Sequence, residues 1–419
     1  MSGWTEVPLG RGLRVHHGFA FKGEFFSAEG KQIVLTPGNF VERGGFKPKN
    51  GTEKYYLGPV PEKFLLKQGD VVIAMTEQAQ GLLGSSATIP DDDTYLHNQR
   101  IGLLEVTDPE LFDIRFVYHL MNSPDVRRQI RATATGSKVR HTAPERIQSV
   151  TALVPTVTEQ RAVAEVLDTL DGLIANNRRR VQVLERMARA IYREWFVKFR
   201  YPGHDSVPLL DSAIGLIPEE WSAGFLDDIV SISRASVDPA TLDPSTPAVG
   251  LEHIPRQQLT LDEWGTAASQ GSRKAVFEKG DVLLGKIRPY FHKVSVAPVD
   301  GICSTDALVL RPRTPHWGQA VFTASSIEFI AHATQTSNGT KMPRADWKVL
   351  GRWSVPVPPL SIAESFTDVA RRHLTLTETL MFENRRLAVL RDLLLPKLVT
   401  GQIDVSALDF DRLLEDEVA

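Results

Sequence analysis

Between Thr158 and about Phe199 the chain has no proline and a single glycine, Gly172. Across that stretch a stripe recurs in unbroken steps of four and three: Val163, Leu167, Leu170, Ile174, Asn177, Val181, Leu184, Ala188, Ile191 and Trp195. Such steps are a heptad seam, the pattern of a helix that packs lengthwise on another helix. The same steps run later through Phe366, Val369, His373, Leu376, Leu380, Glu383, Leu387, Leu390 and Leu394, in phase with the first set when Ile174 is paired with Leu380. Two helices of roughly 35 to 40 residues are predicted, each on the order of 55 to 60 Å long at ~1.5 Å per residue. A long helix with so narrow a stripe needs a partner. Each is the other's available partner, and antiparallel packing is expected. Asn177 and Glu383 are polar seam positions, which cost stability and can fix register. Arg178, Arg179 and Arg180 spread around the helix at ~100° per residue and so form no single pocket.

Ahead of each helix the pattern turns to short apolar, β-branched runs behind Gly-Asp turns: "GDVVIAM" at Gly69 and "GDVLLGK" at Gly280. These stretches are copies of one another. Trp4 pairs with Trp221, Gly69 with Gly280, Lys138 with Lys341 and Pro155 with Pro358, and the order is preserved while the offset drifts from 217 to 203. "LFDIRFVYHLMNSPDVRRQIR", helical with a break at Pro124, corresponds to "WGQAVFTASSIEFIAHA". The expected fold class is α+β: two pseudo-repeated mixed domains, over 1–155 and 204–357, alternating with long helices over 156–203 and 358–405. A tail follows over 406–419.

Composition narrows the chemistry. With 419 residues, 42% hydrophobic and 24% charged, the chain suits a multidomain globular protein. The lone Cys303 lies in an apolar run and reads as a buried structural thiol. No apolar stretch reaches the length of a membrane span. No start resembling a signal peptide is present, and a cytoplasmic location is expected. Phosphate loops, dinucleotide loops, zinc signatures and His-Glu-x-x-His are absent, so neither catalytic nor metal-binding residues are assigned. The "PDDDTY" cluster reads as a solvated turn, and the adjacent His16 and His17 point apart on a strand.

What remains are two glycine-led polar loops and one basic–aromatic segment. "TGSKVRHTAPERI" offers Lys138, Arg140 and His141 behind Gly136. "SNGTKMPRADWK" offers Lys341 and Arg344 behind Gly339. "GKIRPYFHK" adds Lys286, Arg288, Tyr290 and Lys293, a mixture suited to nucleic acid, and "AMTEQAQGLLGSS" stands in its place in the first copy. Basic side chains on a flexible loop can reach phosphates and base edges despite a net charge of −3. The plainer alternative is a solvated loop capping the next helix, with Thr142 and Glu145 as a capping box. The recurrence of one loop type at one place relative to each long helix favours binding.

The doubled order of these segments resembles the specificity (S) subunits of type I restriction–modification systems. "IPEEWSAGFLDDIV", "KGDVLLGKIRPYF", "NGTKMPRADWKVLGRWSVPVPPLSIAE", "VTEQRAVAEVLDTLDGLIANNRRRVQVLERMARAIYREWFVKF" and "ENRRLAVLRDLLLPKLVTGQIDV" carry the resemblance, which covers nearly the whole chain. The second copy departs from it, with Ile362-Ala363 where the first has Glu159-Gln160. The resemblance implies two target recognition domains reading a bipartite double-stranded DNA sequence, held by an antiparallel coiled coil. Asn177, Ile174, Val181, Leu184, Leu380, Leu387 and Leu390 would line its seam. It implies a non-catalytic subunit with two methyltransferase (M) subunits and restriction (R) subunits as partners, and the arginine triplet is either solvated or a docking face for the former. S-adenosylmethionine, ATP and Mg are expected in those partners and no cofactor in this chain. The rival class is a non-catalytic coiled-coil adaptor whose two heads do not bind DNA.

Overall fold

The computed structural model describes residues 4–49, 51–77 and 81–405. Part of the segment 74–86 and the tail expected over 406–419 lie outside that range. By packing, the chain divides into two units, Met1–Gly172 with Ala388–Ala419 and Leu173–Leu387. The sequence boundaries follow changes of pattern. The packing division instead falls inside both long helices, so each unit holds part of each.

The first unit is built on a four-stranded antiparallel sheet ordered Leu13–His17, Ile101–Val106, Val71–Ala74, Ser86–Thr88. All four residues of Val71–Ala74 are buried, as expected of an apolar run covered on both faces. The turn into it needs Gly69 at φ +89°, and the Asp70 carboxylate accepts the Lys67 N–H at 2.8 Å. Helices Ile114–Asn122 and Pro124–Ala132 follow. Ser123 caps the second by accepting the Val126 N–H, and Pro124 takes the first helical position, where its missing N–H costs nothing. Strand Thr5–Pro8 pairs with Thr151–Val154, which leads into the first long helix.

The second unit repeats this four-stranded plan. Its sheet is ordered Val230–Ile232, Ala307–Pro312, Val282–Gly285, Val294–Val296. Gly280 has φ +90°, and the Asp281 carboxylate accepts the Glu278 N–H at 2.9 Å. Ser326 caps Ile327–Gln335 by accepting the Phe329 N–H, with Ile327 in the place of Pro124. Ser222–Phe225 pairs with Ser354–Val357 ahead of the second long helix.

The long helices span Val157–Tyr192 and Leu360–Leu398. In the second unit, Phe366 near the start of one packs on Tyr192, Trp195 and Phe196 at the end of the other. Arg178 and Arg385 both lie in the field of Asp262. The helices therefore run antiparallel. In the first unit, Arg391 donates to Asp171 at 2.9 Å. Along the first helix Val163, Leu167, Leu170, Ile174, Asn177, Ala188 and Trp195 are buried, with Val181, Leu184 and Ile191 half-buried.

The second helix corrects the pattern. Leu376 is 52% exposed and Glu383 is exposed, so neither lies in the seam. Phe366, Leu380, Leu387 and Leu394 are buried as expected and Leu390 is half-buried, while Ala370, Leu374, Thr377 and Met381 are buried in addition. The apolar stripe misses this phase because two of the buried positions are threonines. Thr377 is buried with its hydroxyl donating to the Leu374 carbonyl at 2.8 Å, and Thr367 is buried donating to the Pro315 carbonyl at 2.8 Å. A satisfied hydroxyl can be buried, but a search for apolar periodicity passes over it.

Candidate nucleic-acid interface

Each glycine-led loop folds into the same small frame. In the first copy the N–H of Thr135 donates to the His141 carbonyl at 2.9 Å, and the His141 N–H donates back at 2.8 Å. In the second, Asn338 and Arg344 exchange the same two bonds at 3.0 and 2.8 Å. Gly136 and Gly339 both have φ +97°, a left-handed conformation that favours glycine. The frames superimpose in sequence at the 203-residue offset of the two prolines.

Both frames dock on the strand extension that follows the Gly-Asp turn. Arg140–His141 pairs with Thr76–Glu77, and the Thr142 N–H donates to the Met75 carbonyl at 2.9 Å. In the second copy Ile287 bridges Arg344, the Arg288 N–H donates to the Pro343 carbonyl at 2.8 Å, and the Ala345 N–H donates to the Lys286 carbonyl at 2.9 Å. Two segments about sixty residues apart in the sequence thus become one surface.

That pairing unites Lys286, Arg288 and Arg344, with Lys341 exposed at the tip of the same hairpin. Arg344 lies 3.5 Å from Asp306 across an exposed pair, which holds it only weakly. Tyr290 is 51% exposed and meets Phe291 edge-on at 4.8 Å, while the Arg256 guanidinium covers Phe291 at 4.2 Å. Arg288 adopts φ +49° and His292 φ +50°, so this loop is strained at two non-glycine residues. Lys293 does not join the cluster: its ammonium donates to the Leu251 carbonyl, and burial, then Arg256, lowers its pKa.

In the first copy Lys138 is exposed at the hairpin tip, and the exposed His141 places Nδ1 3.1 Å from the Thr76 hydroxyl. Arg140 is tied back, donating to the Arg131 carbonyl at 2.7 Å beside Glu77 at 3.9 Å. The expected capping box does not form. Pro144 takes the first helical position and leaves Ala143 as the N-cap, so Thr142 stands one residue too early. Its buried hydroxyl has no partner among the described residues.

Sequence reasoning missed the buried charges beneath this loop. Glu77, 2% exposed, accepts the N–H groups of Gly81 and Leu83 at 3.0 and 2.8 Å. Arg127 donates to the carbonyls of Leu83, Glu42 and Gly81, and burial lowers its pKa to about 10. The signal available was spacing: Glu77 follows Gly69-Asp70 at the distance where the second copy carries its basic loop.

Known proteins with similar sequences are of one kind. The specificity subunit of the type I restriction enzyme EcoBI from Escherichia coli is 27% identical over 240 residues, 55% of this chain and 47% of that protein. The EcoDI specificity subunit, also from Escherichia coli, is 25% identical over 278 residues, 61% of each chain. The chain is thus similar in sequence to type I restriction specificity subunits. Its matches span less than two thirds of the length of those two proteins. The crystal structure of a type I restriction–modification S subunit from M. genitalium shares the fold, with a TM-score of 0.56 at 16% identity over 94% of this chain and 96% of that one. No family model matches the chain.

The Glu159-Gln160 pair is structural. Glu159 and Thr156 form a capping box at the start of the helix, with bonds of 3.1 and 3.4 Å. Gln160 is fully buried and bonds Asp113, Leu111 and Pro155. Where the second copy has Ile362-Ala363, Gln319 reaches the Pro356 carbonyl at 2.6 Å and Thr367 accepts the Gly318 N–H at 3.1 Å. The same junction is tied from the opposite side. Cys303 is buried, and that burial pushes its thiol pKa up to about 12. Among the described residues no helix is long and apolar enough to cross a membrane, and no group of three or more acidic, His or Cys side chains could hold a metal ion.

Proposed function

We propose that this chain is the sequence-reading, non-catalytic subunit of a type I restriction–modification complex. Each glycine-led hairpin, with the strand extension it docks on, presents side chains to one half of a bipartite double-stranded DNA target. The observation that carries this reading is one hydrogen-bonded frame used twice with different side chains: Lys138 and His141 in one, Lys341 and Arg344 with Lys286 and Arg288 of the docked strand extension in the other. A constant frame with variable tips is what reading two unlike half-sites requires, with phosphate contacts setting register and base-edge contacts setting sequence. The antiparallel helices act as the spacer. At ~1.5 Å per residue they are long enough to hold half-sites more than one DNA turn, roughly 34–36 Å, apart. Methyltransferase and restriction subunits supply S-adenosylmethionine, ATP and Mg chemistry, and this chain holds no cofactor of its own.

The test is methylation mapping of DNA modified by the assembled complex, with and without Lys341→Ala and Arg344→Ala. The expected result is a bipartite motif in wild type and relaxed or lost recognition of one half only in the variants. An unchanged motif and unchanged affinity would return the hairpin to a solvated loop. The absence of any chain-dependent motif would favour the adaptor reading.

A further inference from the structure

We propose that Glu185 and Arg189, on the spacer helix, are positioning residues that set the conformation of the second recognition loop. This rests on the proposal that the loop contacts DNA. The two residues lie one turn apart on the first long helix, and both are largely buried. Buried charges on a helix otherwise polar outside and apolar at its seam call for partners.

Each grips a different part of the second recognition domain. The Glu185 carboxylate accepts the Leu259 N–H at 3.0 Å, the Thr260 N–H at 2.8 Å and the Thr260 hydroxyl at 2.6 Å. The Arg189 guanidinium donates to the Ser325 carbonyl at 3.0 Å and to its hydroxyl at 2.9 Å. These two anchors converge on His292. The Gln257 N–H, two residues before Leu259, donates to the His292 carbonyl at 2.9 Å. The His292 Nε2–H donates to the same Ser325 carbonyl at 3.0 Å, which fixes its tautomer.

His292 is therefore held by its backbone from one anchor and by its ring from the other. It has the left-handed φ of +50°, which a free loop would not keep. The strained turn that it closes starts at Arg288, also left-handed, whose N–H is bonded to Pro343 in the recognition hairpin. A continuous series of bonds thus runs from the spacer helix through Ser325 and Gln257 to His292, and from there to the loop bearing Lys286 and Arg288. The first copy lacks this device: the residue equivalent to Glu185 in the helix alignment is Arg391, which pairs with Asp171 instead.

The experiment compares wild type, Glu185→Ala, Arg189→Ala and Glu185→Gln in complex with the methyltransferase subunits. The duplexes carry the mapped target or one mismatch in either half. A single mismatch costs a specific complex roughly 5- to 150-fold in affinity. In both alanine variants, discrimination should fall toward one at the half read by the second domain and stay at the wild-type value at the other. Glu185→Gln, which keeps one acceptor of the same shape, should recover most of it. Far-UV circular dichroism and melting report folding separately. Equal loss at both halves, or loss only in proportion to unfolded protein, would assign these residues to stability alone and overturn the proposal. Failure of wild type to discriminate at either half would instead overturn the DNA-reading assignment.

Discussion

Replacing Asn177 with leucine should stabilise the protein, the opposite of what most core substitutions do. Asn177 is 3% exposed in the helix seam. Its amide oxygen meets the Arg180 guanidinium only at 3.5 Å, and its amide nitrogen is buried without an acceptor among the described residues. The packing of Phe366 on Trp195 sets the antiparallel register, which brings Asn384 level with Asn177. The Asn384 amide oxygen is likewise buried without a donor among the described residues. An unpaired buried amide costs about 1–3 kcal/mol. A leucine at the same place removes that cost and adds apolar burial, offset by about 1 kcal/mol or more of packing strain. The net gain is about 1–3 kcal/mol, or roughly 2–12 °C for a unit of this size. Calorimetric melting of wild type, Asn177→Leu, Asn384→Leu and the double variant measures it. A fall in melting temperature for either single change, recovered in the double, would show that the two amides bond each other in solution and that the register layer is satisfied.

Gln160→Ala should cost about 2–5 kcal/mol, because it strips the partner from the Asp113 N–H and from the Leu111 and Pro155 carbonyls; urea unfolding measures it, and a loss under about 1 kcal/mol would mean water replaces the side chain. Burial lowers the His97 pKa to about 4, well below its ordinary 6.5, so the unfolded chain binds an extra proton between those values. Stability should therefore be intact above pH 6.5 and fall on acidification toward pH 4, by up to about 1.4 kcal/mol per pH unit. A His97→Gln variant with the same pH slope as wild type would remove that assignment.

Much of this architecture was legible because it is written in periodicities and punctuation. The seam of the first helix, the Gly-Asp turns and the break at Pro124 each follow from a local rule, and the rule operates twice. The second seam was legible only in part: Phe366, Leu380, Leu387 and Leu394 are buried as expected, but Thr367 and Thr377 satisfy their hydroxyls inside the fold and look polar in the sequence. At the candidate site, the exposed tips Lys138 and Lys341 could be named from glycine and charge alone. The docking of each hairpin on its strand extension could not, because it depends on long-range pairing. Arg140 and Lys293 illustrate the same limit. Both are basic residues in suitable segments, yet backbone carbonyls nearby take up their charge.

The division of the chain by packing has a consequence for how it is made. The second unit, Leu173–Leu387, is a single continuous stretch. The first must recruit the segment from Ala388 onward: Gly401 sits under the Trp4 ring, Arg43 pairs with Asp392, and Arg391 reaches Asp171. On a ribosome those residues emerge more than two hundred positions after Gly172, a delay of roughly 10–40 s at ~5–20 residues per second. During that interval Val163, Leu167 and Leu170 have no helix to cover them, and the first unit waits unfinished while the second closes. The part of the protein synthesised first is the part completed last.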